Sequence, residues 1–197
     1  MQTQNTISEV NAYAMRNGIW LGLWGLMSLV ALRFSFSVPM LSTMYMLMLI
    51  ASPILGGALT FHYRKAVGGD VYGFGFFQGF LHALFMGFYA SLWVALGTFV
   101  YLNWLDHGAF FVAYQESLKQ SMAQPQMAQL IQDPAMQAAI NEATNGKGID
   151  GVAELMQSLG AVTYASMPIY AALIIGPFIS IAIGLVSMKR LGNERFF

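Results

Sequence analysis

The sequence contains no cysteine and has few charged residues. Charged side chains make up 9% of the 197 residues, whereas hydrophobic side chains make up 57%. The absence of cysteine excludes disulfides and thiolate metal sites. Soluble domains carry about 25% charged residues, so this composition predicts a membrane protein.

Signatures of nucleic-acid binding and of common enzymes are also missing. The formal net charge is zero, and no basic patch of the kind that phosphate binding requires is present. The HExxH, GxSxG, CxxC and Walker motifs are absent. Asp106 and His107 form a candidate acid/base pair, but no nucleophile lies near them in the sequence. We therefore expect a non-enzymatic protein with no cofactor and no nucleic-acid partner.

Four apolar stretches are candidates for crossing the membrane, which takes about 20 residues each. They are residues 17–32, 39–61, 76–104 and 168–188, and the first, shorter one continues an amphipathic lead-in from Ser8. No small-residue cleavage site follows the first stretch, so we expect it to be retained. The predicted fold is all-α, an integral membrane four-helix bundle. Residues 1–104 hold spans one to three, residues 105–165 form a small helical extramembrane insert, and residues 166–197 hold span four and a tail.

The basic residues predict the orientation in the membrane. With four spans, both termini lie on the same side as the loop between spans two and three. That side carries six of the nine basic residues: Arg16, Arg64, Lys65, Lys189, Arg190 and Arg195. The positive-inside rule then places both termini in the cytoplasm and exports the insert 105–165.

The insert reads as short helices. Phe110, Phe111, Tyr114, Leu118 and Met122 recur at helical spacing, and Pro125 ends that pattern. Asp133 followed by a proline predicts an N-cap, and Asn145-Gly146 predicts a stop. The insert is expected either to cap the outer rim of the bundle or to dock a partner.

Small residues recur at every fourth position of the spans. In lipid, helices approach closely along such small-xxx-small ridges. The helix-packing candidates are Gly75, Gly79, Ala83, Gly87 and Ser91 in span three, with Gly176, Ser180 and Gly184 in span four. The ridges serve packing within the chain, or self-association through a spare ridge.

A polar stripe adjoins the ridge of span three. Gln78, His82 and Tyr89 fall on one helical face. Polar groups at membrane depth are candidate binding or proton-handling sites. The structural alternative is a neutral imidazole satisfied by Gln78 or by a carbonyl of a neighbouring helix. No carboxylate lies inside a span, which disfavours a proton relay.

Three methionines form a second, weaker pattern. Met40, Met44 and Met48 lie at successive fourth positions of span two. Stacked thioethers are ligands for Cu(I). The chain has 14 methionines, however, and Met commonly fills gaps in apolar cores.

Two stretches resemble a known family. They are "VYGFGFFQGFLHALFMGFYASLWVALGTFVYLNWLD" at 71–106 and "NGKGIDGVAELM" at 145–156. The chain resembles the bacterial four-span membrane proteins catalogued as domain of unknown function four-one-nine-nine. Gln78 stands where that family often has a basic residue. The resemblance implies the inner membrane of a two-membrane bacterium and implies no chemistry.

These patterns favour an accessory or scaffold subunit of the inner membrane, whose partners are the lipid bilayer and another membrane protein or a second copy of itself. The alternative is a small oligomeric transporter or channel with a polar site on span three. A membrane enzyme acting on a lipid-linked substrate is a third hypothesis. A water-accessible path through Gln78, His82 and Tyr89 would favour transport, and a filled bundle would favour a scaffold.

Overall fold

Long helices dominate the computed structural model, which describes residues 2–122 and 133–189. Helix α1 spans Gln2–Ser35 and α2 spans Pro39–Ala66. A short helix α3, Gly69–Tyr72, leads into α4, Phe76–Val100, which continues as one π-helical turn over Tyr101–Leu105. The prediction of an all-α fold is confirmed.

Three of these helices are long and apolar enough to cross a membrane: Ile7–Ser35, Met40–Ala66 and Phe76–Leu105. The stretch predicted as a continuous fourth span is instead two helices, α8 over Gly160–Ile174 and α9 over Gly176–Ser187, which meet at an angle of 45°. Pro177 accounts for the break, because its nitrogen carries no hydrogen for the helical bond and its ring clashes with the preceding turn. Together, α8 and α9 are long and apolar enough to form a fourth span if the bent pair is taken as a single span. Helix α8 also runs across the boundary expected at 165/166.

The described part of the insert consists of short helices joined by turns. Helix α5 spans Ala109–Met122, α6 spans Pro134–Ala143, a 3-10 turn spans Gly148–Gly151 and α7 spans Val152–Ser158. The predicted N-cap is confirmed, since the Asp133 side chain accepts a hydrogen bond from the nitrogen of Ala135 at 2.8 Å. The predicted stop is also confirmed, because Asn145 and Gly146 have positive φ angles of 53° and 80°. Pro125 lies outside the described residues.

Helix α4 is the inner helix of the bundle. It packs along α1, α8 and α9, and α2 packs mainly on α1. The buried surface of α4 is built from small residues together with two large ones, His82 and Met86, which are 0% and 1% exposed. A side-chain hydrogen bond joins α1 to α2, because the indole Nε1 of Trp24 donates to the carbonyl oxygen of Met48 at 3.1 Å.

The insert packs on one end of the bundle through aromatic contacts. Phe111 packs on Tyr164 of α8 with ring centroids 5.1 Å apart. Phe36, in the turn between α1 and α2, makes edge contacts with Phe110 and Tyr114 at 5.4 and 5.8 Å. The insert therefore packs as a cap on the loops and helix ends beneath it.

Candidate functional site

His82 lies in the centre of the bundle and is fully buried. Its Nε2 lies 3.1 Å from Asn17 Nδ2 on α1, and its Nδ1 lies 3.0 Å from Thr60 Oγ1 on α2. The imidazole stacks on the ring of Tyr63, with centroids 4.5 Å apart and an interplanar angle of 11°. Three helices thus meet at one side chain, and we refer to His82, Asn17, Thr60 and Tyr63 as the His82 cluster.

The hydrogen bonds of the His82 cluster are consistent with a single neutral tautomer. The Thr60 hydroxyl donates its one hydrogen to the carbonyl oxygen of Gly56 at 3.0 Å. Its oxygen is then left to accept from His82 Nδ1–H, and the unprotonated Nε2 accepts from the amide of Asn17. Both ring nitrogens are therefore satisfied without water, a ligand or an ion.

Gln78 and Tyr89 take no part in this cluster, although they share its helix. The Gln78 side chain accepts a hydrogen bond from the nitrogen of Gly75 at 3.1 Å and so caps its own helix. The Tyr89 hydroxyl donates to Asn11 Oδ1 at 2.8 Å. The three predicted ligand-binding residues thus serve three separate contacts, and they do not converge on one cavity.

The methionines of α2 do not form a common site either. Met40 is 82% exposed and Met44 is 47% exposed, whereas Met48 is 5% exposed and faces the bundle. Side chains that diverge in this way cannot share one copper ion. Within 2–122 and 133–189, no group of three His, Asp or Glu side chains is arranged to hold a metal either.

A second polar network joins the bundle to the insert. The Asp106 side chain is 1% exposed, and its Oδ1 accepts from the Tyr101 hydroxyl at 2.5 Å and lies 3.8 Å from Arg33 Nε. Arg33 Nε also donates to the Tyr101 oxygen at 3.1 Å. The other oxygen, Oδ2, accepts from the nitrogen of Phe110 at 2.7 Å, in the first turn of α5. Asp106 is therefore engaged structurally and does not pair with His107, which is exposed.

A third polar group lies at the opposite end of the bundle, between α2, α3 and the end of α9. Arg64 Nε and Lys189 Nζ lie 3.0 and 3.7 Å from the same oxygen of Asp70. The Arg64 Nε–H is not aimed at that oxygen, so the contact is ionic without a hydrogen bond. Arg64 also donates to the carbonyl oxygen of Ser187 at 3.0 Å. Backbone bonds of 2.9 Å in both directions join Phe74 to Lys189.

Small residues bring the helices close at several points. A Cβ added to Gly184 would lie 3.1 Å from the carbonyl oxygen of Phe76, and one added to Gly79 would lie 3.2 Å from the Cα of Gly184. Helices α1 and α4 meet in the same way, since a Cβ on Gly18 would lie 2.6 Å from the Cβ of Tyr89. The remaining buried members of the predicted set are Ala83, Ser91 and Ser180.

Other glycines of the predicted packing set face open space. Among the described residues, no atom lies within 4 Å of a Cβ built on Gly87 or Gly176. Gly75 is the N-cap of α4, and its Cβ would meet only the side chain of Gln78, at 3.9 Å. The prediction that these three glycines admit a neighbouring helix is wrong for this chain on its own.

The insert carries its own ion pairs. Lys119 Nζ lies 2.7 Å from Asp150 Oδ1, and Lys147 Nζ lies 2.5 Å from Glu154 Oε2. The hydrogen bond to Asp150 raises the pKa of Lys119. Both pairs are exposed, so they orient the short helices and contribute little to stability.

Sequence reasoning missed the partners of His82. Asn17 was visible only as the first residue of one apolar stretch, and Thr60 only as a residue near the end of the next. Tyr63 carried no signal beyond its place near the end of span two. A buried polar residue on each of three predicted spans was the available signal, since such residues need partners at membrane depth.

Comparison with known proteins agrees with the resemblance noted at 71–106 and 145–156. A family model described as "Protein of unknown function (DUF4199)" matches residues 16–189, from the first span through the second half of the broken one. No curated protein and no solved structure matches the chain. The matched range contains the whole His82 cluster and both ionic networks. The chain therefore belongs to the DUF4199 family.

Proposed function

We propose that this protein is a non-enzymatic accessory or scaffold subunit of a bacterial inner membrane, with both termini in the cytoplasm and the insert exported. The observation that carries this proposal is the closed His82 cluster. Both imidazole nitrogens are bonded to neighbouring side chains, and a ligand could reach the buried imidazole only by breaking these contacts. A transported proton or solute needs polar groups that water can reach, and Gln78, His82 and Tyr89 offer no such shared surface.

Helix α6 supplies the contact surface of the proposal. Its main contact among the described residues is the 3-10 turn at 148–151. Met136 is 49% exposed, and its neighbours Ala135, Ala138 and Ala139 are exposed as well. Exposed apolar helix faces mark sites where proteins associate. The partner is another membrane protein or a second copy of this chain.

A photo-crosslinking amino acid placed at Met136 tests the contact surface in living cells. We expect one discrete protein adduct from that position. The control is the same amino acid at Ile50, which is 65% exposed on α2, one of the helices that can cross the membrane; it should label lipid only. Identical labelling from the two positions would remove α6 as a docking surface.

Reconstitution into liposomes tests the transport alternative, which the discontinuous fourth span favours because transporter sites often lie at broken helices. The scaffold proposal predicts that an imposed pH gradient and an imposed potassium gradient decay as slowly as in empty liposomes. Decay that is fast in the native protein and slow in a well-folded His82→Gln variant would overturn it, because glutamine cannot titrate near neutral pH.

A further inference from the structure

An open groove of about 530 Å³ runs between α2 and α9 on the outer surface of the bundle. All of its walls are apolar. Gly57, Ala58 and Phe61 line it on α2, and Ile179, Ala182 and Val186 line it on α9. Helix α2 is one of the helices that can cross the membrane, so the groove opens towards the acyl chains of the bilayer.

One end of the groove is cationic. The guanidinium carbon of Arg64 lies 4.8 Å above the ring of Phe61, which is a lining residue. Lys65 is exposed and lies one helical turn beyond Phe61 on the same face. Lys189 lies beside Arg64, since both reach the carboxylate of Asp70. These three cations against one acid leave a net positive charge at the end of the groove.

The length of the groove matches one leaflet. From Pro53 to Phe61 the helix rises by about 12 Å, and from Pro53 to Arg64 by about 16 Å, at about 1.5 Å per residue. Half of the hydrocarbon core of a bilayer is about 15 Å thick. When the apolar part of the groove lies within one leaflet, Arg64, Lys65 and Lys189 therefore lie at the level of the lipid headgroups.

We propose that this groove is a binding site for an anionic phospholipid, with one acyl chain between α2 and α9 and the phosphate against Lys65 and Lys189. Basic residues at the end of an apolar cleft between membrane helices are suited to negatively charged headgroups. A phospholipid supplies both the apolar chain and the negative charge that the two parts of the site require. The site lies apart from α6 and from the His82 cluster, so the proposal does not depend on the scaffold function.

Native mass spectrometry of the full chain in mild detergent tests the site by titration with phosphatidylglycerol and phosphatidylcholine. We expect the native protein to retain phosphatidylglycerol preferentially. Because each basic residue near an anionic surface contributes about a fivefold factor in affinity, the Lys65→Gln/Lys189→Gln variant should lose up to roughly 25-fold for phosphatidylglycerol and nothing for phosphatidylcholine. The matched control, Lys119→Gln/Lys147→Gln, removes the same charge from the insert and should retain the preference.

A second pair of variants tests the apolar part of the groove. No described atom lies within 4 Å of a Cβ built on Gly57, so Gly57→Leu fills the groove without a clash and should reduce retention of both lipids. Gly176→Leu adds the same side chain at another open glycine, outside the groove, and should change the retention of neither lipid.

Equal retention of the two lipids by the native protein, or equal losses in a variant and its control, would overturn the proposal. So would a native dimer that Gly57→Leu dissociates, because the occupant would then be a second copy.

Discussion

Replacing the imidazole of His82 separates a structural cluster from a functional site. His82→Leu removes the acceptor for the Asn17 amide, the donor to Thr60 and the stacking partner of Tyr63. Hydrogen bonds between membrane helices contribute about 0.6 kcal/mol each on average. Aromatic stacking adds about 0.5–1.5 kcal/mol. The expected loss of unfolding free energy is therefore roughly 2 kcal/mol.

The partner of the imidazole can be removed at the same time. Asn17 is 3% exposed, so His82→Leu leaves its amide buried without an acceptor. In the double variant with Asn17→Leu, neither polar group remains, and an apolar pair can be nearly neutral. The sum of the two single losses of unfolding free energy should therefore exceed the loss in the double variant by about 0.6 kcal/mol, the average for such bonds in membranes, and by at most about 1.7 kcal/mol.

Tyr89→Phe is the matched control for this cycle. It removes another interhelical hydrogen bond of α4, the one to Asn11, without touching the His82 cluster. The loss of unfolding free energy in Tyr89→Phe should add to the loss in His82→Leu within about 0.5 kcal/mol, as expected for independent sites. Unfolding is followed by tryptophan fluorescence in mixed micelles with increasing denaturing detergent.

The cycle has a clear negative outcome. Additivity of His82→Leu and Asn17→Leu would show that the bond between them contributes nothing. His82→Gln keeps a donor and an acceptor of similar reach, so it should lose less stability than His82→Leu. A His82→Gln protein with native stability but no complementing activity in cells would refute the structural interpretation and identify His82 as a functional group.

Three further predictions concern helix packing, orientation in the membrane and the polar network around Asp106. Gly79→Leu should lower folded yield and melting temperature far more than Gly87→Leu, because only Gly79 lies against another helix; equal losses would remove the packing argument. A reporter after Phe197 and one inserted near Asn145 should fall on opposite sides of the membrane, the first cytoplasmic, and an exported C-terminal reporter would reverse the assignment. Asp106→Ala should lower the unfolding free energy by about 1.5–3 kcal/mol, since it removes hydrogen bonds to a buried carboxylate, and an unchanged thermal melt would contradict the network.

Local features were predictable from the sequence because each depends on neighbouring residues. The N-cap at Asp133 and the stop at Asn145 follow from side chains and backbone angles within one turn. Helices α2 and α4 begin where their apolar stretches begin, at Pro39 and Phe76, whereas α1 begins at Gln2, well before the apolar stretch 17–32. The bend at Pro177 also has a local signal, since a proline disfavours a continuous helix, but the apolar residues on both sides of it favour one long span.

The partners within the bundle were not predictable, because they depend on which helices become neighbours. His82 bonds to residues 65 and 22 positions away in the sequence. Periodicity assigns a residue to a face of its helix, but it does not identify the helix opposite that face. The ridge of span three shows the same limit. Each step of four residues turns the face by about 40°, so the four steps from Gly75 to Ser91 wind through roughly 160°, and Gly79 and Gly87 face different surroundings.

The single carboxylate of Asp106 has a consequence for how the insert would transmit force. It holds the end of α1 through Arg33, the end of α4 through Tyr101 and the start of α5 through the nitrogen of Phe110. Helix α5 therefore cannot swivel relative to the long helices without breaking its hydrogen bond to this buried carboxylate. A partner that binds the insert would meet a preorganised surface and lose little free energy in ordering it. By the same connection, a pull on α5 would act directly on two membrane-spanning helices.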